Sequence, residues 1–419
     1  MEDLHRLPAT LIDVLANSVV LRQLAPYIPF RSLLHLSATN KTIRDIILSQ
    51  PEPWRYVNLM GMSSAIIESS PIDIGGFAWR AERMDESLTE DDFYAGPLRG
   101  ILGRLHQRRI LKYVHTLILD GLSVPADLVR EILGEDRYNV KILSIRESNN
   151  LNQARLQRVL RCVTRPTRAE GTPKLKALYF FGPRDSERPV IWRQHDVPSR
   201  SLGVMETEGA QIGAEWNRRS SVALGTCIAD DETRWYGSSG RAMKRPLSEW
   251  PETLQACKGI INFDAVLCRG PRHDISKVST SDYLQSAIAT VAVGARGCET
   301  CGSCPEGPAI FGESPEHMFP LLSPPPTHSA TVRSAQRPRR MSPRPPKLIL
   351  RCEDCLRGRW CERCNRWWCE DCYREPISRF QRTELQQVEL GEQLRYDGIE
   401  SLSQRETIFV GVKGPPIKV

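Results

Sequence analysis

Several signatures are missing from this sequence, and each absence removes a class of chemistry. There is no GxSxG nucleophile elbow, no HExxH helix, no GxxxxGK[ST] phosphate loop and no protein-kinase signature. A non-catalytic protein is therefore expected. No run of about 18 apolar residues occurs, so no membrane-spanning helix is expected and no membrane partner. The opening MEDLHRLPATLID has neither a basic start nor an apolar run behind it, so no secretory signal is expected from it. Acidic residues are absent from 333–351, where Arg333, Arg337, Arg339, Arg340, Arg344, Lys347 and Arg351 stand. Those seven cations equal the formal net charge of +7, so the rest of the chain is about neutral. The global charge then reports one basic segment, and nucleic acid is not the expected partner.

Cysteine is what the chain has in plenty. Nine of its 13 cysteines fall in two short blocks, Cys298, Cys301 and Cys304, and then Cys352, Cys355, Cys361, Cys364, Cys369 and Cys372. A CxxC turn points two sulfurs inward at about the bite tetrahedral zinc needs. Clustered pairs without an export signal read as metal sites rather than disulfides, and a nuclear or cytoplasmic location follows. The spacing suggests two structural zinc ions in an interleaved, cross-brace arrangement, as in treble-clef, FYVE-like or PHD-like modules. Adjacent pairs lie too close in sequence to fold easily onto one ion. The expected sets are Cys352, Cys355, Cys369 and Cys372 on one ion, and Cys361 and Cys364 with two of Cys298, Cys301 and Cys304 on the other. Nine thiols for eight positions leave one spare. His317 and His328 are candidates to replace a thiolate.

Along the chain, apolar residues at helical spacing fill 7–59, interrupted at Pro29 and ended by Pro51. Helices that short are marginal unless they dock on something. Runs 114–119, 140–145 and 175–180 read as strands, with helices at 127–133 and 156–160 between them. Further strands are expected at 260–267 and 288–293. Residues 184–250 read as loops or an insertion. Residues 305–346 carry 11 prolines ahead of the basic run, and 305–350 is expected to be a Pro/Arg-rich solvated linker. Residues 376–419 are expected to form a tail.

Leu7-Pro8, the segment ATLIDVLANSVVLRQLAPYIP, its continuation FRSLLHLSATNKTIRDII and the closing Trp54 to Leu59 together resemble an F-box. The resemblance covers about 50 residues, assigned here as 7–60. It implies a small helical unit that binds the Skp-type linker of a cullin–RING ubiquitin ligase. Carried over, Leu7, Pro8, Leu24, Ile28, Pro29, Leu33, Leu36 and Ser37 would lie in or beside that interface, with Leu15, Val19 and Leu21 on the same apolar face. The gap from Leu7-Pro8 to Ile28-Pro29 is longer than the family usually shows. Region 101–295 resembles degenerate leucine-rich repeats, which often follow an F-box, and 298–304 plus 352–375 would form the zinc module. The whole layout resembles fungal-type F-box proteins with a cysteine-rich tail. The expected fold is thus α+β and multidomain, and the expected role is to bring an unidentified protein substrate to the ligase. Two alternatives stay open: a RING-like zinc module with its own ligase activity, and a PHD-like chromatin or nucleic-acid binder.

Overall fold

Side chains with oxygen acceptors start the first helices of this computed structural model, which describes residues 10–66, 90–185, 249–294, 296–338, 345, 347–361 and 363–373. Thr10 and Asp13 form a capping box on α1 (Leu11–Ala16), and Asn17 accepts from the N–H groups of Val19 and Val20 to start α2 (Ser18–Leu24). Pro29 opens α3 (Phe30–Thr39), and the Asn40 side chain caps α4 (Lys41–Ser49). Leu15, Leu21, Phe30, Leu33, Ile43 and Ile47 face inward and are buried with Trp54. The Trp54 indole donates to the Ile47 carbonyl at 2.8 Å, so its one polar group is satisfied. This helical core is continuous with that of the sheet that follows, which supplies the support such short helices need. Leu7 and Pro8 lie outside the described residues, as do 186–248 and 374–419, where most of the expected insertion and tail fall.

Five short strands make a parallel sheet: β1 (Tyr56–Asn58), β2 (Thr116–Ile118), β3 (Ile142–Ser144), β4 (Ala177–Tyr179) and β5 (Asn262–Phe263). Their order in space is their order in sequence. The four expected runs each contain one of the strands β2 to β5. The crossovers carry α5 (Glu90–Gln107), α6 (Ala126–Gly134), α7 (Gln153–Val163) and α8 (Trp250–Cys257), and each helix packs on the next. Leu117, Leu143, Leu178 and Phe263 join the core on the helix side. Ile142, Ala177 and Tyr179 point the other way and meet Leu321, Val332 and Ala335. A sheet covered on both faces explains why its strands read as unbroken apolar runs rather than alternating ones.

Polar side chains tie off the strand ends. Arg146 is buried between Asp120 (2.7 Å) and Asp185 (2.8 Å). The Asp264 carboxylate accepts from the N–H groups of Phe180, Phe181 and Gly182. Burial raises the Asp264 pKa above the usual carboxylate range, and those three donors oppose the rise.

The reading of 305–350 as a solvated linker does not hold for its described part. β7 (Ala309–Ile310) pairs with a strand at 347–351, and a short helix, α9 (Val332–Gln336), closes onto the sheet. Phe319, Leu321, Val332 and Ala335 are buried. The Gln336 amide donates to the carbonyls of Glu316 and Phe319, both at 2.6 Å. The prolines here break regular structure without freeing the segment, because its few apolar residues have an uncovered sheet face to fill. Arg351, counted with the exposed basic run, is fully buried.

The cysteine-rich segment adds β6 (Val291–Val293), the expected last strand, antiparallel to β8 (Lys347–Arg351), and a hairpin of β9 (Trp360–Cys361) with β10 (Arg366–Trp367). Residues Met1–Cys372 cluster as one unit and Tyr373–Val419 as a second. Among the described residues, no helix is long and apolar enough to cross a membrane.

Candidate metal centres

Two groups of donor atoms converge in this segment. In the first, Cys298, Cys301, Cys369 and Cys372 place their sulfurs within 4.8 Å of one another. Gly297 and Gly302 both take positive φ, +93° and +66°, and turn the chain so that Cys298 and Cys301 face one point. A Cβ on Gly297 would sit 2.3 Å from the Gly302 carbonyl oxygen, so only glycine fits there. The Cys369 N–H donates to the Cys298 sulfur at 3.2 Å. Cys301 and Cys369 sulfurs are 3.7 Å apart. That matches the edge of a tetrahedron of thiolates at ~2.3 Å from zinc, which is roughly 3.8 Å.

In the second group, Cys268, His273 and Cys352 converge in the same way, and Cys355 hydrogen-bonds to all three. Cys268 is held in place by its own N–H, which donates to the Ala287 carbonyl at 2.8 Å. A single 3₁₀ turn, Pro271–His273, then brings the imidazole round. Its Nε2 lies 3.2 Å from the Cys352 sulfur. On the other side of the ring, Nδ1–H donates to the carbonyls of Leu284 (3.2 Å) and Gln285 (2.9 Å). Those carbonyls set the tautomer that leaves Nε2 free to bind a cation, as second-shell partners of metal-binding histidines commonly do. A Cβ on Gly270 would fall 2.2 Å from the Cys355 sulfur, so the cradle has no room for a side chain.

Crowded thiols share protons unequally. Hydrogen bonds from Cys268 and Cys352 hold Cys355 well below the usual thiol range, against its burial. Ser303 and neighbouring thiols bring Cys301 down to about 6. Burial disfavours a charged His273, but its hydrogen bonds to Cys352 and Cys355 outweigh that and raise it to about 10. Cys355 and Cys301 thus give up a proton easily, the thiolate state that takes up a cation, while His273 must release its Nε2 proton to join them.

Two buried arginines run between the groups. Arg351, just before Cys352, pairs with Glu306 at 2.5 Å and lies 4.4 Å over the Trp367 ring, two residues before Cys369. Arg359 donates to the Cys355 carbonyl and to the Trp368 carbonyl, and pairs with Glu370 at 2.6 Å.

In chain order the donor pairs are Cys268/His273, Cys298/Cys301, Cys352/Cys355 and Cys369/Cys372, and the first meets the third while the second meets the fourth. The interleaving is the expected one; the membership is not. Cys352/Cys355 do not share a group with Cys369/Cys372. Cys361 and Cys364 instead flank the reversal of the β9–β10 hairpin, where they hydrogen-bond to each other, and lie outside both groups. So does Cys304, which burial and Glu306 push up to about 11. Neither His317 nor His328 is a member. Sequence reasoning missed Cys268 and His273, because Cys268 ends an apolar run and reads as core. The available signal was the CxxxxH spacing around Pro271.

The residues assigned to a partner interface divide. Leu15, Leu21, Leu33 and Ser37 are buried, Ile28 and Leu36 are half-buried, and Val19, Leu24 and Pro29 are exposed. Comparison of the chain with family models, curated proteins and solved structures gave no match.

Proposed function

We propose that this chain is a non-catalytic substrate-recognition adaptor of an SCF-type cullin–RING ubiquitin ligase, stiffened at its far end by two structural zinc ions. The observation that carries the ligase half is the division within α1–α4. These helices and the turn at Ala25–Tyr27 bury one apolar face among themselves and against Trp54, yet leave Leu11, Val19, Leu24 and Tyr27 between 40% and 71% exposed. Exposed apolar side chains gathered on one small helical unit suit a protein partner, and the F-box resemblance names the Skp-type linker. The sheet, with one helix per crossover and strands in sequence order, supports a leucine-rich-repeat-like platform for the target.

Zinc fits both donor sets. All-sulfur and sulfur-plus-imidazole sites with four protein donors are its usual structural environments, and neither leaves an open position for chemistry. A filled four-thiolate site carries a net charge of −2 and a three-thiolate, one-histidine site −1. Arg351 and Arg359, buried beside them, offset that charge.

Co-purification of the full chain with a Skp-type linker tests the first half. Replacing Val19 and Leu24 by aspartate should abolish the complex without unfolding the chain, since both side chains face solvent. Leu33 is unsuitable for this purpose because it is core. Failure of the wild-type chain to bind the linker removes the reading. The interleaved pairing also favours a second reading, a RING-like module with its own ligase activity. An autoubiquitination assay decides between them, and it requires Cys268 and His273 to be present.

A further inference from the structure

The residue before each of β1 to β4 is basic: Arg55, His115, Lys141 and Lys176. The ladder stacks them. His115 and Thr116 N–H groups donate to the Arg55 carbonyl, Lys141 and Ile142 to that of His115, and Lys176 and Ala177 to that of Lys141. One basic residue per strand at ~4.8 Å spacing sets the cations Arg55, Lys141 and Lys176 and the imidazole of His115 in one row. Such a row of cations opposes folding unless an anion offsets it.

A cavity of about 230 Å³ opens on this row. Arg22, Arg55, His115 and Lys141 line it, and a loop carrying Thr327, His328 and Ser329 covers it. The only acid in the lining is Glu52, already paired with Arg55 at 3.5 Å. Among the described residues, no carboxylate pairs with Arg22 or Lys141. His328 Nε2 shares a hydrogen bond with the Tyr27 hydroxyl at 3.0 Å, while its Nδ1 is shielded from solvent without a partner, as is Nε of Arg55. The cations converge on one place: burial, and then the charges of Lys141 and Arg55, push His115 below its ordinary range. The volume is under the ~300–1,000 Å³ of pockets that hold drug-sized ligands, which favours a small anionic group over a nucleotide.

We propose that this cavity binds a phosphate monoester, with Arg22, Arg55 and Lys141 supplying the charge and the loop at 327–331 closing over it. Guanidinium groups bind phosphoryl oxygens through charge-assisted hydrogen bonds, and lysine adds a point charge. The site does not depend on the ligase reading.

Isothermal titration calorimetry of the full chain at low ionic strength tests it with three probes: O-phosphoserine, inorganic phosphate and serine. O-phosphoserine should bind, serine should not, and the affinity should fall as salt is raised. Tighter binding of O-phosphoserine than of inorganic phosphate assigns the site to the ester; equal binding assigns it to the free anion, and either supports a phosphate site. An R22Q/K141Q chain should bind at least tenfold more weakly. Arg22 is exposed and Lys141 half-exposed, so the chain should stay folded with a thermal unfolding midpoint no lower than that of the wild type. Failure of both phosphate probes to bind, or wild-type affinity in the folded double variant, overturns the proposal.

Discussion

Strands β2, β3 and β4 are three residues long, and so is β6 in the cysteine-rich segment, yet what surrounds them differs. Around the first three, Leu117, Leu143 and Leu178 stack at one level against α5 to α8, with Leu321 and Ala335 on the far face. Around β6 the apolar set shrinks to Val291, Val293, Ile349, Leu356 and Trp367, and two of its buried members are Cys298 and Cys369 themselves. The sheet has enough hydrophobic surface to hold very short strands in register. The cysteine-rich segment does not, and donor groups that could hold cations stand where a larger core would be.

Metal removal is the strongest way to break this comparison. A chelator should strip two equivalents of zinc, and amide exchange at β6, β8 and β10 should then speed up to near-unfolded rates. β2 to β4 should stay protected. Structural zinc in small modules contributes apparent binding free energies of ~10–16 kcal/mol, so the loss should be complete rather than graded. Uniform exchange in both regions after chelation would mean that one core holds the whole unit.

Next in size is Leu143→Ala, in the middle of the buried ladder. It should lower stability to urea by about 2–5 kcal/mol while the zinc content of the folded protein stays at two. Asp264→Asn should cost less, about 1–3 kcal/mol. An amide offers a single oxygen where three backbone N–H groups now share two, so one donor is left short. The smallest effect should come from Cys361→Ser, which should leave two zinc ions by native mass spectrometry and shift stability by under ~0.5 kcal/mol. Cys369→Ser should remove one of the two ions. Equal losses from Cys361→Ser and Cys369→Ser would show that the hairpin pair is a ligand after all.

Much of the sheet was legible because strands covered on both faces read as unbroken apolar runs, and 114–119, 140–145 and 175–180 do so. The N-terminal helices were legible from apolar spacing and from the breaks at Pro29 and Pro51. Their orientation was not. The same period that marks Leu15, Leu21 and Leu33 as one face cannot say whether that face meets the chain's own core or a partner, and the neighbouring helices with Trp54 take it. Segment 305–338 was misread because proline content reports what backbone is excluded, not whether Phe319 and Leu321 have a surface to cover. The stacked row of Arg55, His115, Lys141 and Lys176 was invisible for a related reason. Adjacent members of that row stand 26 to 60 positions apart in sequence, and only strand register makes them neighbours.

By itself the sequence determined that thiols would gather in pairs, since two cysteines in a CxxC turn are neighbours by covalent geometry. It also determined that short apolar strands would need covering. Which pair meets which was decided by the tertiary structure alone. Cys268 comes into reach of Cys352 because it follows β5 and hydrogen-bonds to Ala287, while β8 delivers Cys352 from 84 residues away. Local spacing governs the bite of one pair; the partner across the ion is chosen by the strands that carry the chain back.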